Sequence, residues 1–198
     1  VQDLSSHAIG VDAVHLELGR FVAAYSGLMS SLEEGTIAFV SPAWPIFANH
    51  MLLRSALADR TAKGTTDAFF SVVRTAWAGR IDEAGDKILK KLRNEIEAVT
   101  PVRNRLLHDV WMTSQTGGSD EIGTVTMRFR ASSTDGGSFE SNDRTVFELS
   151  ELVLTCKRLT GCVSGIAFYS RTPEKGLASD PDLSARLGLK DGKVVRLP

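Results

Sequence analysis

Apolar residues recur at Val11, Val14, Leu18, Phe21 or Val22, Tyr25, Leu28 and Leu32, in steps of three and four that predict an amphipathic helix. Gly35 and the stretch VSPAWP interrupt that period. A second helix is predicted from near Pro45, a residue suited to a first helical turn, through Ile46, Leu53 and Leu57 to about Ala62. Gly64 with Thr65 and Thr66 marks a break and a cap, and DAFFSVVRTAWAGRI predicts a third helix. The longest register follows. Ile81, Gly85, Ile88, Leu92, Ile96, Val99, Val102, Leu106 and Val110 keep the helical period straight through Pro101. Either the helix kinks there, or Thr100 caps a new helix with Pro101 at its first position; the unbroken register favours the kink.

After Met112 the pattern changes. TVTMRFRA alternates Val125, Met127 and Phe129 with Thr126, Arg128 and Arg130, which predicts a strand. SSTDGGS reads as a turn, and SFESNDRTVFE as the returning partner. Ser150 reads as the cap of a last helix with Leu152, Cys156, Leu159, Val163 and Ile166 on one face. The expected fold class is therefore all-α: an up-and-down bundle of four or five main helices over residues 1–170, with a small β-hairpin inserted at about 122–147 before the last long helix. Residues 171–198, rich in Pro, Gly and Asp, read as a peripheral tail with one short helical turn near Leu183.

Composition narrows the class. The chain's 198 residues, 42% of them hydrophobic, suffice for the core of one domain. No apolar run reaches the roughly 20 residues that span a bilayer, and the start lacks the order of a signal peptide, so the expectation is a soluble cytoplasmic protein without membrane contact. Cys156 and Cys162, six apart in a helix, point in different directions and read as core residues in a reducing compartment. No zinc spacing, P-loop or GxGxxG occurs, so neither metal nor cofactor is expected. A net charge of -1 argues against a broad basic face for long nucleic acid and leaves room for a local phosphate site.

The candidate chemistry lies in TPVRNRLLHDVWM. Between Lys87 and Arg105 the sequence has six basic residues against two acids, a local excess of four charges. On one helix Asn104 and His108 lie about 40° apart around the axis, whereas Arg103 and His108 are separated by about 140°. One copy does not aim Arg103 and His108 at a common spot; two antiparallel copies about a twofold axis can. The residue types suit metal-free RNA cleavage. A histidine can take the proton of a ribose 2'-hydroxyl or supply one to the leaving oxygen, an arginine can hold the scissile phosphate, and Asn104 can orient the imidazole or donate to phosphate. The structural alternative is that Arg103 pairs with Glu95 or Glu97, His108 bonds a nearby acceptor and Asn104 supports the Pro101 kink. By the same reasoning Trp44 and Trp77 read as core or interface residues, Trp111 as core unless it stacks on a base, and His7, His15 and His50 as surface or locally hydrogen-bonded residues.

RNRLLH, Arg103 to His108, resembles the Arg, polar residue, three residues, His signature of the HEPN superfamily, and its position late in a long helix of an all-helical domain is similar too. The resemblance implies a metal-independent endoribonuclease of a toxin or defence system, active as a homodimer on RNA, with Arg103, Asn104 and His108 as its site residues. It equally accommodates a non-catalytic helical module that binds a nucleotide or an antitoxin-like protein.

Overall fold

The computed structural model describes residues 4–40, 47–58, 60–108, 110–115, 122–130, 138–169 and 183–198. The chain is of the all-α class. Five helices, α1 (Leu4–Val40), α2 (Phe47–Ala58), α3 (Ala62–Ala76), α4 (Glu83–His108) and α5 (Val146–Tyr169), dominate the described residues. Three strands, β1 (Val110–Gln115), β2 (Ile122–Arg130) and β3 (Ser138–Thr145), form an antiparallel sheet in the order β1-β2-β3. A 3-10 turn at Leu183–Ala185 leads into a hairpin of β4 (Leu187–Lys190) and β5 (Lys193–Arg196). None of the helices among the described residues is long and apolar enough to cross a membrane.

The chain divides into two compact units, and the divisions fall inside α1, α4 and α5. The first comprises Val1–Tyr25 and Val99–Thr155, and its core holds Val14, Leu18, Phe21, Tyr25, Val99, Leu106, Leu149 and Val153. Its sheet starts sooner than the sequence predicts. The predicted hairpin corresponds to β2 and β3, but Val110, the last residue in the helical register, belongs to β1, where it pairs with Met127 while Met112 pairs with Val125. Six residues of VWMTSQ, aromatic or β-branched at three positions, satisfy their backbone groups on the β2 edge instead of in another helical turn.

The start of α5 also differs. Ser150 lies inside the helix, and Thr145 caps it: the Glu148 N–H donates to Thr145 Oγ1 at 3.1 Å, and the Thr145 N–H donates to Glu148 Oε2 at 2.9 Å. This reciprocal Thr-x-x-Glu box satisfies two backbone donors that a helix start otherwise leaves unbonded.

The second unit comprises Ser26–Ala98 and Cys156–Pro198. Here α1 runs past Gly35 to Val40. The glycine is a packing device and not a stop, because a Cβ there would meet Phe69 Cε2 at 2.6 Å. The cap of α3 is Thr61, whose hydroxyl accepts from the Gly64 N–H at 3.1 Å; Thr65 and Thr66, predicted at the break, are buried within the helix. Trp77 is core, 1% exposed and edge-on to Phe39 at 5.1 Å. Pro45 and Trp44 lie outside the described residues. In α4, Asp82 Oδ1 accepts from the Gly85 N–H at 2.7 Å and starts the helix, while Pro101 lies inside it without ending it.

The predicted turn near Leu183 is present, and the hairpin that follows it was not predicted. Leu183, Leu187 and Val194 are buried. Asp191 and Gly192, with φ of 51° and 71°, make the two-residue turn that matches strand twist, so KDGK was a hairpin signal in the sequence. Val194 anchors the hairpin through both backbone groups: its N–H donates to Glu95 Oε1 at 3.1 Å, and its carbonyl accepts from Arg158, which also donates to Glu95 Oε2 at 2.6 Å. Cys162 Sγ lies 3.7 Å from the same carbonyl. Both cysteines are buried and unpaired with each other, and burial pushes each thiol up to about 11, which makes them inert core residues.

Candidate functional site

The motif residues Arg103 and Asn104 occupy the last turns of α4, and His108 is its final residue. The imidazole of His108, Asp109 and the side chain of Trp111 lie outside the described part of the structure. Arg103 is half-buried and Asn104 exposed. The Arg103 guanidinium lies over the Tyr25 ring, with Cζ 5.7 Å from its centroid, and Arg103 Nη1 donates to Asn104 Oδ1 at 3.1 Å. Since arginine only donates, this bond fixes which end of the Asn104 amide is oxygen and leaves the amide nitrogen to serve a ligand.

Tyr25 supports the arrangement from below. It is 5% exposed, and its hydroxyl lies 3.1 Å from Thr100 Oγ1, one turn before Arg103 and Asn104 on the same helix. A buried tyrosine needs a partner for its hydroxyl, and Thr100 provides one while the ring face stays open to the cation. The sequence places Tyr25 only on an apolar stripe. The signal available was that it is the one stripe member of α1 with a hydroxyl to satisfy.

The two acids considered as partners for Arg103 have other bonds. Glu97 Oε1 accepts from Arg93 Nε at 2.7 Å, and Glu95 belongs to the Arg158 clasp. Three of the six basic residues of the run are held in ion pairs. Lys87 pairs with Glu83 at 2.7 Å, Lys90 with Asp86 at 2.8 Å, and Arg93 with Asp67 as well as Glu97. Two of these acids precede the basic run on α4 and one comes from α3. Lys87 and Lys90 of KILKK thus lie paired on a solvated helix face.

What Arg103 and its neighbours can do chemically is hold an anion. Tyr25 and Asn104 are neutral, so neither of these two contacts brings a counter-charge to the guanidinium. The C-terminal end of α4 carries the negative pole of the helix and gives a phosphate no help, so the binding would rest on side chains. Among the described residues, no group of three His, Cys, Asp or Glu side chains is placed to hold a metal ion. Comparison with family models, with curated proteins and with solved structures found no match.

Proposed function

We propose that the chain is a metal-independent endoribonuclease of the HEPN type that acts as a homodimer. The observation that carries this reading is the orientation of the Arg103 guanidinium by Tyr25 and Asn104 in the same turns of α4 that end in His108. Arg103 would hold the non-bridging oxygens of the scissile phosphate and the charge that grows on them. His108 would accept the proton of the 2'-hydroxyl as its oxygen attacks phosphorus, or protonate the departing 5'-oxygen, giving a 2',3'-cyclic phosphate and a free 5'-hydroxyl. Asn104, with its oxygen on Arg103, would donate from its nitrogen to phosphate or imidazole.

The test is cleavage of a mixed RNA pool in the presence of a chelator. Wild type should cut, His108→Ala should lose about 10²–10⁴-fold, and Arg103→Lys should recover little of what Arg103→Ala loses because the fork is gone. Failure of wild type to cleave any pool, or cleavage by His108→Ala at the wild-type rate, would sink the enzyme reading.

The intrachain bond from Arg103 to Asn104 favours a second reading, a non-catalytic helical module that binds a nucleotide or an antitoxin-like protein. The two readings separate on stability. If Arg103 is structural, Arg103→Ala lowers the unfolding free energy by about 1 kcal/mol or more and changes no RNA.

A further inference from the structure

The hairpin of β4 and β5 in the second unit is held differently from the helices beside it. Its pairing is local: Asp191 and Gly192 turn the chain, and Lys190 pairs with Lys193, Leu189 with Val194 and Leu187 with Arg196. A two-stranded hairpin is marginal alone, so its order depends on its seat. Among the described residues that seat is small. Leu183, Leu187 and Val194 are buried, whereas Leu189, Lys190, Lys193 and Arg196 are exposed.

The polar part of the seat is built to survive the hairpin's departure. Arg186 and Leu197 are a bonded pair, the Leu197 N–H donating to the Arg186 carbonyl at 2.6 Å. Bonded and non-bonded pairs alternate along an antiparallel ladder, so Leu189 and Val194 are a non-bonded pair and the N–H and carbonyl of Val194 point away from β4. Those two groups meet the second atoms of an ion pair. Glu95 accepts from Arg158 Nη2 through Oε2 at 2.6 Å and from the Val194 N–H through Oε1 at 3.1 Å, while Arg158 Nη1 donates to the Val194 carbonyl. Lifting the strand breaks the two outer bonds and leaves the inner one, so no buried charge is stranded and water takes the vacated atoms. What is uncovered lies on α5. Cys162, one turn beyond Arg158, is 0% exposed with Sγ 3.7 Å from the Val194 carbonyl, and Arg196 Cδ lies 3.6 Å from where a Cβ at Gly165 would be.

We propose that this hairpin is a latch over the Arg158 to Gly165 face of α5, opening as a unit while the helices stay folded. The latch goes beyond the ribonuclease reading, and its test reads thiols and not RNA, so either can fail alone. The full chain is treated with N-ethylmaleimide and the two cysteines are followed separately by tryptic mapping, since Lys157 and Arg158 lie between them. Cys162 should be blocked more than about tenfold faster than Cys156, at a rate that barely changes in low urea, because opening the latch exposes little surface. Cys156 should respond only as urea approaches the unfolding transition. Gly192→Val forces a β-branched residue to a φ of 71° in a turn where its Cβ meets nothing within 4 Å, so the strain stays in the hairpin. It should quicken Cys162 about tenfold and leave Cys156 and the helical circular dichroism unchanged. Equal rates with one shared urea dependence for the two thiols, or a Gly192→Val that quickens both or neither, would overturn the latch.

Discussion

The Tyr25 hydroxyl and Thr100 Oγ1 lie 3.1 Å apart across 75 residues of sequence, beneath the guanidinium that the ring supports. Tyr25→Phe removes this bond and keeps the ring, so it should cost about 1 kcal/mol, whereas Tyr25→Leu should cost about 2 kcal/mol through the added loss of the cation contact and packing. Urea unfolding of both, in a cycle with Thr100→Val, checks the pairing: Tyr25→Phe should add almost nothing in the Thr100→Val background.

Arg158 bridges the Glu95 carboxylate and the Val194 carbonyl with side chains only 21% and 14% exposed. Arg158→Ala leaves a largely buried carboxylate without its counter-charge and should cost about 2–3 kcal/mol, somewhat less than a fully buried pair. Amide exchange localises the effect. Protection at residues 187–196 should fall much further than protection within α4.

Gly35→Ala should destabilise by about 1–3 kcal/mol, because the new methyl would overlap the edge of a fully buried Phe69 ring. A companion Phe69→Leu substitution should make Gly35→Ala less costly than it is alone, and thermal unfolding of the pair reads the coupling.

Asp67 and Asp86 titrate below the ordinary carboxylate value of 3.8, Asp67 chiefly through its hydrogen bond from Lys63 and Asp86 chiefly through its hydrogen bond from Lys90. A depressed folded-state value means that the unfolded chain binds protons first as pH falls. The stability from both groups is therefore complete above 3.8 and is lost as pH drops through their folded values. Unfolding midpoints measured between about pH 5 and 2 should slope less steeply in Asp67→Asn and Asp86→Asn than in wild type. An unchanged slope would remove these pairs from the acid response.

What was legible in the sequence follows from the range of the interactions involved. The helices were legible because an amphipathic period repeats over many residues, as from Val11 to Leu32 and from Ile88 to Leu106. Their ends were less so. At Val110 the helical step of four coincides with a residue type that strands also favour, and only β2, a later segment, decides between them. Gly35 looks like a breaker until Phe69 is brought against it. At the site, the motif residues fall on one helix as their spacing implied. The Tyr25 support and the acid from α3 that takes Arg93 could not be read, since they lie 75 and 26 residues away along the chain.

β3 ends at Thr145 and α5 begins at Val146, with Thr145 still paired to Gly123 while it caps the helix. One residue thus keeps two periodicities in phase. Sliding β3 by a single position along β2 would reverse which side of the sheet each of its side chains faces, and would carry the capping hydroxyl away from the Glu148 amide at the same moment. Sheet and helix are geared at this joint, so a partner or substrate pressing on the sheet would have either to leave its hydrogen-bond register intact or to disengage the first turn of α5 with it.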